Sequence, residues 1–258
     1  MQPMSKMKNS SGRYNFQDKT CVVTGAGHGL GRTVARMFIE SGAKVACLSR
    51  TPYADLLDEL KDYGEQALFV SVDVSLSEPV QQAFKKVHKK FGSVDILINN
   101  AGIARSGRIE EITPEAWDQV MAHNIRSQFL CIQASISSMK KKRYGKIVNI
   151  SSIAGRDKSI VLGCSYSTSK AAIIGLTRHV ATEVAAYGIN VNCVCPSQLR
   201  TPMLESVLTP ELENVLLNKI PLGYIAQPEQ IAQVILFLAS DEANYMTGAI
   251  VDVNGGLM

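Results

Sequence analysis

The strongest constraint on the fold is a repeated alternation of short runs rich in β-branched residues with longer amphipathic segments. Several of the short runs are apolar on both faces, as parallel strands are when helices cover both sides of a sheet. Seven runs are expected to be strands: TCVVTG, KVACLSR, ALFVSVDV, VDILINNAG, GKIVNISS, INVNCVCP and AIVDVNGG. The pattern predicts an α/β fold with a doubly wound parallel sheet of about seven strands, flanked by helices.

Length and composition agree with a single domain. The 258 residues are 46% apolar, and no linker-like stretch divides them. We expect residues 1–15 to form a flexible tail and residues 16–258 to form one domain. The beginning of the chain lacks the apolar core of a signal peptide, no segment is apolar for long enough to cross a bilayer, and the six cysteines show no metal-ligand spacing. We therefore expect a cytoplasmic protein with buried, reduced thiols and no metal.

The formal net charge is +4, and basic residues cluster only in KKVHKK (85–90) and MKKKR (139–143). Both runs fit solvated helix faces, and no nucleic-acid-binding motif accompanies them. The charge therefore does not predict a nucleic-acid partner.

A glycine-rich turn, TGAGHGLGR (24–32), joins the first strand to a helical segment. Gly25, Gly29 and Gly31 allow backbone N–H groups to approach a pyrophosphate at the helix N-terminus, where the dipole favours negative charge. His28 and Leu30 belong to the same turn and are expected to contact the cofactor. The strand–turn–helix context predicts a Rossmann-type domain that binds a dinucleotide.

The end of the second strand bears on the choice of cofactor. A carboxylate there would accept a bond from the adenosine ribose 2′-hydroxyl, but the chain has Ser49 and Arg50. Arg50 can pair bidentately with a 2′-phosphate, and His28 offers a second donor. We therefore expect NADP(H) to be preferred over NAD(H); the alternative is that Arg50 is an ordinary surface arginine.

Tyr166 stands four residues before Lys170 at the start of a helix-periodic run, so their side chains lie one helical turn apart. Alone such a pair is a weak signal. Here it occurs together with the glycine turn, with NNAG (99–102) after the fourth strand and with NISS (149–152) after the fifth. With these motifs the sequence from about Phe16 to the C-terminus resembles the short-chain dehydrogenase/reductase family.

The resemblance implies roles for the residues that match the family motifs. The catalytic residues would be Asn124, Ser152, Tyr166 and Lys170. Residues 100–102 would support the sheet beside the cofactor, and the remaining cofactor contacts would come from Asp73 and Val74 at the adenine and Thr201 at the nicotinamide. The full set of expected cofactor contacts is Gly25, His28, Gly29, Leu30, Gly31, Arg50, Asp73, Val74, Asn100, Ala101, Gly102, Tyr166, Lys170 and Thr201.

The residue types suit the reduction of a carbonyl group. Hydride delivery builds negative charge on the carbonyl oxygen, so a donor must supply a proton there. A phenol has a pKa near 10, and a nearby cation lowers it. We therefore expect Lys170 to lower the pKa of Tyr166 while holding the ribose, Ser152 to donate to the substrate oxygen, and Asn124 to hold a water that relays protons to Lys170.

Two departures from the family pattern concern the loops near these residues. Tyr166 follows Ser152 by 14 residues, one more than is usual, so the loop between them must accommodate an extra residue. The family's Pro-Gly after the sixth strand is here Pro196-Ser197. Any left-handed backbone that glycine adopted there would be strained in serine.

The resemblance within the family extends to 3-oxoacyl-[acyl-carrier-protein] reductases, through FLASDEANYMTGAIVDVNGG near the C-terminus and MKKKRYGKIVNISS. Of the two basic residues with which those enzymes dock the carrier protein, Arg143 matches the first, but Tyr187 occupies the second position. Residues 201–230 are expected to form a lid over the substrate. Its apolar lining is expected to come from Met203, Leu204, Val207 and Leu208.

Three functions remain open on these residues. The first is NADPH-dependent reduction of a 3-oxoacyl thioester or related ketone, for which the resemblance implies an acyl carrier protein as a candidate partner. The second is oxidation of a polyol, sugar or secondary alcohol with NAD(P). The third is a nucleotide-binding regulator without catalysis, which the intact Asn, Ser, Tyr and Lys positions argue against. The resemblance also implies a homotetramer built on the helices near 117–139 and 164–186 and the last strand.

Overall fold

Seven parallel strands form one sheet in the computed structural model, which describes residues 14–159, 161–206 and 208–258, except for the side chain of residue 203. The order is β3-β2-β1-β4-β5-β6-β7. The strands are β1 (Thr20–Thr24), β2 (Lys44–Ser49), β3 (Ala67–Ser71), β4 (Ile96–Asn99), β5 (Gly145–Ile150), β6 (Ile189–Pro196) and β7 (Ile250–Val253). This confirms the predicted doubly wound α/β sheet. Most of the expected tail lies outside the described residues.

Helices connect the strands, and several begin where the sequence provides a start signal. Thr113 caps the fourth helix by accepting a bond from the Ala116 N–H at 3.2 Å, with Pro114 in the first turn. The helices are α1 (Gly29–Glu40), α2 (Ala54–Asp62), α3 (Ser77–Phe91), α4 (Pro114–Met121), α5 (Ser127–Lys142), α6 (Cys164–Val184), α7 (Pro202–Glu205), α8 (Pro210–Lys219) and α9 (Pro228–Ala239). A π turn at Ala122–Arg126 joins α4 to α5.

The sheet has a hydrophobic core on each face because successive side chains of a strand point to opposite sides. Val23 belongs to the core that includes residues of α1 and α9, such as Phe38 and Ile235. Its neighbour Val22 belongs to the core formed with α3, α5 and α6, where Phe84 is buried. Burying side chains of this size contributes about 1.5–3 kcal/mol each. The two cores fix the sheet between its helical layers.

The strand order places a crevice at the carboxyl edge of the sheet. Val22 of β1 pairs with Ala46 of β2 on one side and with Leu97 of β4 on the other. The connections from β1 and β4 therefore leave in opposite directions, and an open α/β sheet binds its ligand at such a point. Among the described residues, no helix is long and apolar enough to cross a membrane.

Candidate active site

The glycine turn after β1 has a backbone that only glycine accommodates. Gly25 adopts a φ of +65°, and a Cβ there would lie 2.9 Å from the Ala101 Cα. At Gly31 a Cβ would lie 2.3 Å from the Gly25 carbonyl oxygen. Gly27 was not predicted as a site residue, but a Cβ there would lie 2.7 Å from the Ser49 Oγ. The turn packs closely against the ends of β2 and β4, and its backbone faces the crevice.

Thr24 and Asn100 tie this turn to the end of β4. The Asn100 Nδ2 donates to the Thr24 carbonyl at 3.1 Å, and the Thr24 Oγ1 accepts from the backbone N–H groups of Asn100 and Ala101, both at 3.0 Å. Thr24 was not predicted as a site residue, although it directly precedes the glycine motif. The NNAG motif therefore holds the glycine turn in place through Thr24.

A cleft of about 770 Å³ runs along the carboxyl edge of the sheet from the glycine turn to Tyr166. All the predicted site residues except Gly31 and Asn124 line it. These lining residues are Gly25, His28, Gly29, Leu30, Arg50, Asp73, Val74, Asn100, Ala101, Gly102, Ser152, Tyr166, Lys170 and Thr201. Gly31 contacts Gly25 and Asn124 contacts Gly102, and neither Gly31 nor Asn124 lines the cleft. The cleft thus extends from the glycine turn, which the sequence predicts to bind a nucleotide, to Tyr166 and Lys170.

The N-terminus of α1 faces the cleft without an acidic residue in its first turn. His28 precedes the helix without capping it through its side chain, and its ring packs edge-on against Tyr53 at 5.6 Å between centroids. The backbone N–H groups of this 12-residue helix therefore keep their positive end for an anion. Tyr53, also in the lining, was not predicted from the sequence.

Arg50 and Asp73 lie at the end of the cleft that the sequence assigns to adenosine. Arg50 is exposed, and its Nη1 lies 3.3 Å from the His123 Nε2. Burial opposes ionisation of the Asp73 carboxyl, but hydrogen bonds from the Ser75 hydroxyl and N–H, at 2.7 and 2.9 Å, outweigh it and lower the pKa of Asp73. Asp73 is therefore a carboxylate beside a cationic Arg50.

Ser152, Tyr166 and Lys170 converge at the opposite end. Tyr166 and Lys170 lie in the first two turns of α6, and the Lys170 Nζ lies 5.6 Å from the Tyr166 ring centroid. The same Nζ donates to the Ile150 carbonyl at 2.9 Å. Ser152, at the end of β5, accepts from the Ala154 N–H at 3.1 Å and hydrogen-bonds the Tyr166 phenol. The arrangement places a phenol, a hydroxyl and an ammonium group around one space.

The pKa of Tyr166 differs from the sequence expectation. Desolvation raises the pKa of the phenol, and the hydrogen bond with Ser152 lowers it by less, so the pKa lies above its ordinary value. The expected net lowering by Lys170 is wrong for this arrangement, because desolvation of the buried phenol is the larger effect and raises the pKa. Tyr166 is therefore a protonated phenol at neutral pH.

Burial has a large effect on Lys170. Removal from water lowers its pKa to about 8, while the nearby thiols of Cys193 and Cys195 act in the opposite direction. These thiols lie 4.0 Å apart on β6. Of the six cysteines, all are free, five are buried as expected, and Cys164 is partly exposed.

Asn124 connects the active-site helix to the loop after β4. Its Oδ1 accepts from the Ile103 N–H at 2.7 Å, and its Nδ2 donates to the Ile103 carbonyl at 3.0 Å and to the Ser169 Oγ at 2.9 Å. Both amide hydrogens are therefore used. With no amide hydrogen left to donate, Asn124 can hold a water only through its oxygen atoms, which accept a hydrogen bond from the water. The residue type alone did not show this restriction.

The two departures from the family pattern are accommodated without backbone strain at the described residues. In the longer loop, the Ser159 Oγ accepts from the backbone N–H groups of Val161 and Leu162, at 3.2 and 2.7 Å. The only described non-glycine residues with positive φ are Asp18 and Arg143, so Ser197 does not adopt the left-handed conformation. Both the loop and Ser197 line the cleft.

The segment expected to act as a lid forms a small apolar cluster together with Leu257 near the C-terminus. Leu216, Ile220 and Ile225 are its buried residues, and Leu204 and Leu208 pack against them. Leu204 also lines the cleft, but Leu208 does not, so its predicted place in the lining is wrong. The Met203 side chain and Val207 lie outside the described residues. Polar groups, Ser206 and Lys219, line the cleft from the same segment.

Arg143 and Tyr187 lie near each other, away from the cleft. Arg143 ends α5 in the left-handed conformation and donates to the Ala186 carbonyl at 2.9 Å. The Lys140 Nζ lies 4.5 Å from the centroid of the Tyr187 ring. Since Arg143 precedes β5 and Ser152 follows it, the two residues lie at opposite edges of the sheet.

Known proteins resemble this chain over most of its length. A family model described as enoyl-(acyl carrier protein) reductase matches residues 25–258. An uncharacterized oxidoreductase of Thermotoga maritima is 42% identical over 94% of the chain and 98% of its own length. The 3-oxoacyl-[acyl-carrier-protein] reductase FabG of the same organism is 36% identical, over 94% and 99%. A crystal structure of 3-oxoacyl-[acyl-carrier protein] reductase from Brucella melitensis has a TM-score of 0.86 at 31% identity, covering 94% of this chain and 92% of the other.

Proposed function

The chain belongs to the short-chain dehydrogenase/reductase family of NAD(P)-dependent oxidoreductases, and from this premise we propose that it reduces a ketone to a secondary alcohol with NADPH. The observation that carries the proposal is the convergence of Ser152, Tyr166 and Lys170 on one wall of the cleft that begins at the glycine turn. A phenol that stays protonated at neutral pH suits reduction, because reduction consumes a proton at the carbonyl oxygen.

The cleft fits a nicotinamide dinucleotide on three counts. The glycines at 25 and 31 remove the Cβ atoms that would fill the turn, and α1 presents an uncapped, acid-free N-terminus for a pyrophosphate. At the adenosine end, Arg50 supports the preference for a 2′-phosphate. When bound there, the reduced cofactor would supply a hydride to the substrate carbonyl.

The protein groups would supply binding and the proton. Tyr166 would donate its phenolic proton to the carbonyl oxygen, and the Ser152 hydroxyl would donate a hydrogen bond to the same oxygen as negative charge builds there. Lys170 would hold the nicotinamide ribose hydroxyls through its ammonium group. Asn124 would position α6 through Ser169, and its oxygen acceptors would hold the water that returns a proton toward Lys170.

The substrate we propose is a 3-oxoacyl thioester or a related ketone. Val161, Leu162 and Leu204 offer apolar surface beside the reacting groups, which suits an acyl chain. Relatives that carry the name 3-oxoacyl-[acyl-carrier-protein] reductase support the same class. The structure gives less support to an acyl carrier protein as partner. Arg143 lies at the opposite edge of the sheet from Tyr166, and Tyr187 occupies the position of the second basic residue that would dock the carrier protein.

The first experiment measures the initial rate of NADPH oxidation by the purified protein with an acetoacetyl thioester, against NADH in a parallel assay. We expect turnover with NADPH and a much lower rate with NADH. Replacement Tyr166→Phe should lower turnover by about 10²- to 10⁴-fold while the dissociation constant of NADPH stays within about twofold. Tyr63→Phe, outside the cleft, is the matched control.

Other outcomes separate the alternatives. Turnover of polyols or secondary alcohols with NADP⁺, without thioester reduction, would replace the proposal with the oxidative one. Full cellular function of Tyr166→Phe would favour a nucleotide-binding regulator. Equal rates with NADH and NADPH would overturn the cofactor preference alone.

A further inference from the structure

His123 connects the adenosine end of the cleft to the turn that carries Asn124. Its side chain is 16% exposed and lines the cleft together with Arg50 and Asp73. The Nε2 lies 3.3 Å from the Arg50 Nη1 and 3.7 Å from the Asp73 Oδ2. No motif in the sequence singled out this histidine.

The contacts of the ring determine which nitrogen carries the proton. The His123 Nδ1 lies 2.8 Å from the Gln119 carbonyl oxygen, which can only accept, so Nδ1 must be the donor. In the neutral imidazole the Nε2 is then an acceptor. Arg50 can only donate, so its Nη1–H bonds to that Nε2. The main chain of α4 therefore orients the ring, and the ring orients the guanidinium group.

Apart from its contact with His123, the guanidinium group of Arg50 has no acidic partner in the described residues, so its charge and its remaining N–H donors can bind a ligand. Within the described part of the chain, no carboxylate comes within 4.0 Å of its guanidinium nitrogens; Asp73 acts on it only at longer range. Its backbone is fixed, since the Arg50 carbonyl accepts from the Ser71 Oγ at 3.0 Å. A guanidinium group has five N–H donors, and the bond to His123 uses one of them. Arg50 lines a cleft that suits an anion, so its other donors are near the space that a ligand would occupy.

We propose that His123 is a positioning residue that holds Arg50 for the 2′-phosphate of the cofactor, and so helps to determine the preference for NADP(H) over NAD(H). The inference rests on the proposed cofactor preference. It assigns to His123 no contact with the reacting atoms. Fixing the guanidinium before binding reduces the side-chain entropy lost when the phosphate binds, which improves affinity for the phosphorylated cofactor only.

The test measures dissociation constants of NADP⁺ and NAD⁺ by calorimetry, without turnover. His123→Leu should weaken NADP⁺ binding by about three- to tenfold, as expected for loss of one positioning hydrogen bond, and change NAD⁺ binding by less than about twofold. His123→Gln, whose amide oxygen can accept from Arg50, should restore most of the NADP⁺ affinity. In an Arg50→Ala background, His123→Leu should have no further effect on NADP⁺.

His88→Leu is the matched control. The His88 Nδ1 also lies 2.8 Å from a carbonyl oxygen four residues away, that of Gly92, but His88 is outside the cleft. It should leave both dissociation constants unchanged. Equal weakening of NADP⁺ and NAD⁺ by His123→Leu would overturn the inference in favour of an adenine contact or local misfolding. Additive losses in the Arg50→Ala background would overturn it as well.

The same data separate this inference from the proposed cofactor preference. If the unmodified protein binds NAD⁺ as tightly as NADP⁺, or if Arg50→Ala leaves NADP⁺ binding unchanged, the preference itself fails and the role of His123 fails with it. If the preference holds and depends on Arg50 while His123→Leu has no effect, only the role of His123 is overturned.

Discussion

At the scale of single residues, Lys170 shows how burial and chemistry are linked. Its ammonium group is removed from water and retains the Ile150 carbonyl as its hydrogen-bond acceptor. The resulting pKa of about 8 lies close to physiological pH. Lys170 is a cation below that pH and neutral above it. Any role that depends on its charge must therefore weaken as pH rises through 8.

We predict that kcat/KM for NADPH-dependent reduction is constant at neutral pH and falls above pH 8, because kcat/KM reports ionisations of the free enzyme. A pH profile of the initial rate from about 6 to 10 tests this. Lys170→Arg, which stays charged, should have a lower rate but no decline in this range. A profile of the unmodified protein that stays flat to pH 10 would contradict the assignment.

Gly31 gives a second prediction at this scale. An alanine Cβ at this position would lie 2.3 Å from the Gly25 carbonyl oxygen and 2.5 Å from the Asn100 Nδ2, so the turn must move. We expect Gly31→Ala to weaken NADPH binding by at least tenfold and to lower the free energy of unfolding by about 1–3 kcal/mol. Calorimetry and denaturant titration measure both.

Gly175→Ala in α6 is the control for that substitution, because open space surrounds the position where its Cβ would lie. There alanine should be neutral or stabilise the helix by up to about 1 kcal/mol. Unchanged NADPH affinity in Gly31→Ala would mean that the turn does not contact the cofactor.

At the scale of elements, the lid is separate from both main cores. The apolar cluster around Leu216 also includes Leu257, which follows β7. Arg200 pairs with Glu205 at 3.3 Å and also with Glu213, and these pairs join α7 to α8. A parallel bridge between Leu199 and Ala226 closes the base of the segment. We infer that the lid moves as a unit about this base.

Hydrogen exchange tests this motion. Addition of NADPH and a ketone should slow exchange in 202–219 and leave β1 and β5 unchanged, because the strands are already protected. Arg200→Ala should raise the KM of the ketone by about three- to tenfold with the NADPH dissociation constant unchanged. Lys61→Ala, which removes the exposed pair with Asp58, is the control. Equal protection with and without ligand would argue against closure.

The element scale also shows what could be predicted from the sequence. All seven strands were predicted, because the period of apolar residues is a local signal. The π turn at Ala122–Arg126 was not, since one extra residue in a helical turn hardly alters the apolar period. The direction of the Tyr166 pKa shift and the position of Leu208 depend on packing between distant segments. The contact of His123 with Arg50 joins residues 73 positions apart and has no local signature.

At the scale of the whole molecule, α4, α5 and α6 present an open groove that the described part of the chain leaves uncovered. Met121, Ile125 and Leu176 line it, and Phe129 is 46% exposed there. The groove coincides with the helices through which the family resemblance implies subunit contacts. We therefore propose that a second copy of the chain covers this face.

Light scattering should give a mass four times that of the 28.0-kDa chain. Phe129→Glu should reduce the mass, because a carboxylate in an apolar interface is costly to bury. Val215→Glu, on α8 and similarly exposed at 45%, should not change it. A single-chain mass for the unmodified protein would exclude the tetramer.

The two ends of the cleft come from different parts of the chain. Residues between Gly25 and Val74, with His123, line the end of the cleft that we propose for the nucleotide, and the end proposed for the reaction is formed mainly by segments that follow β5 and β6. Cofactor preference and substrate chemistry can therefore be engineered separately. We expect exchange of the short segment 49–53 for one with a carboxylate to shift the proposed cofactor preference from NADPH toward NADH, while the half of the cleft proposed to bind the ketone stays as it is.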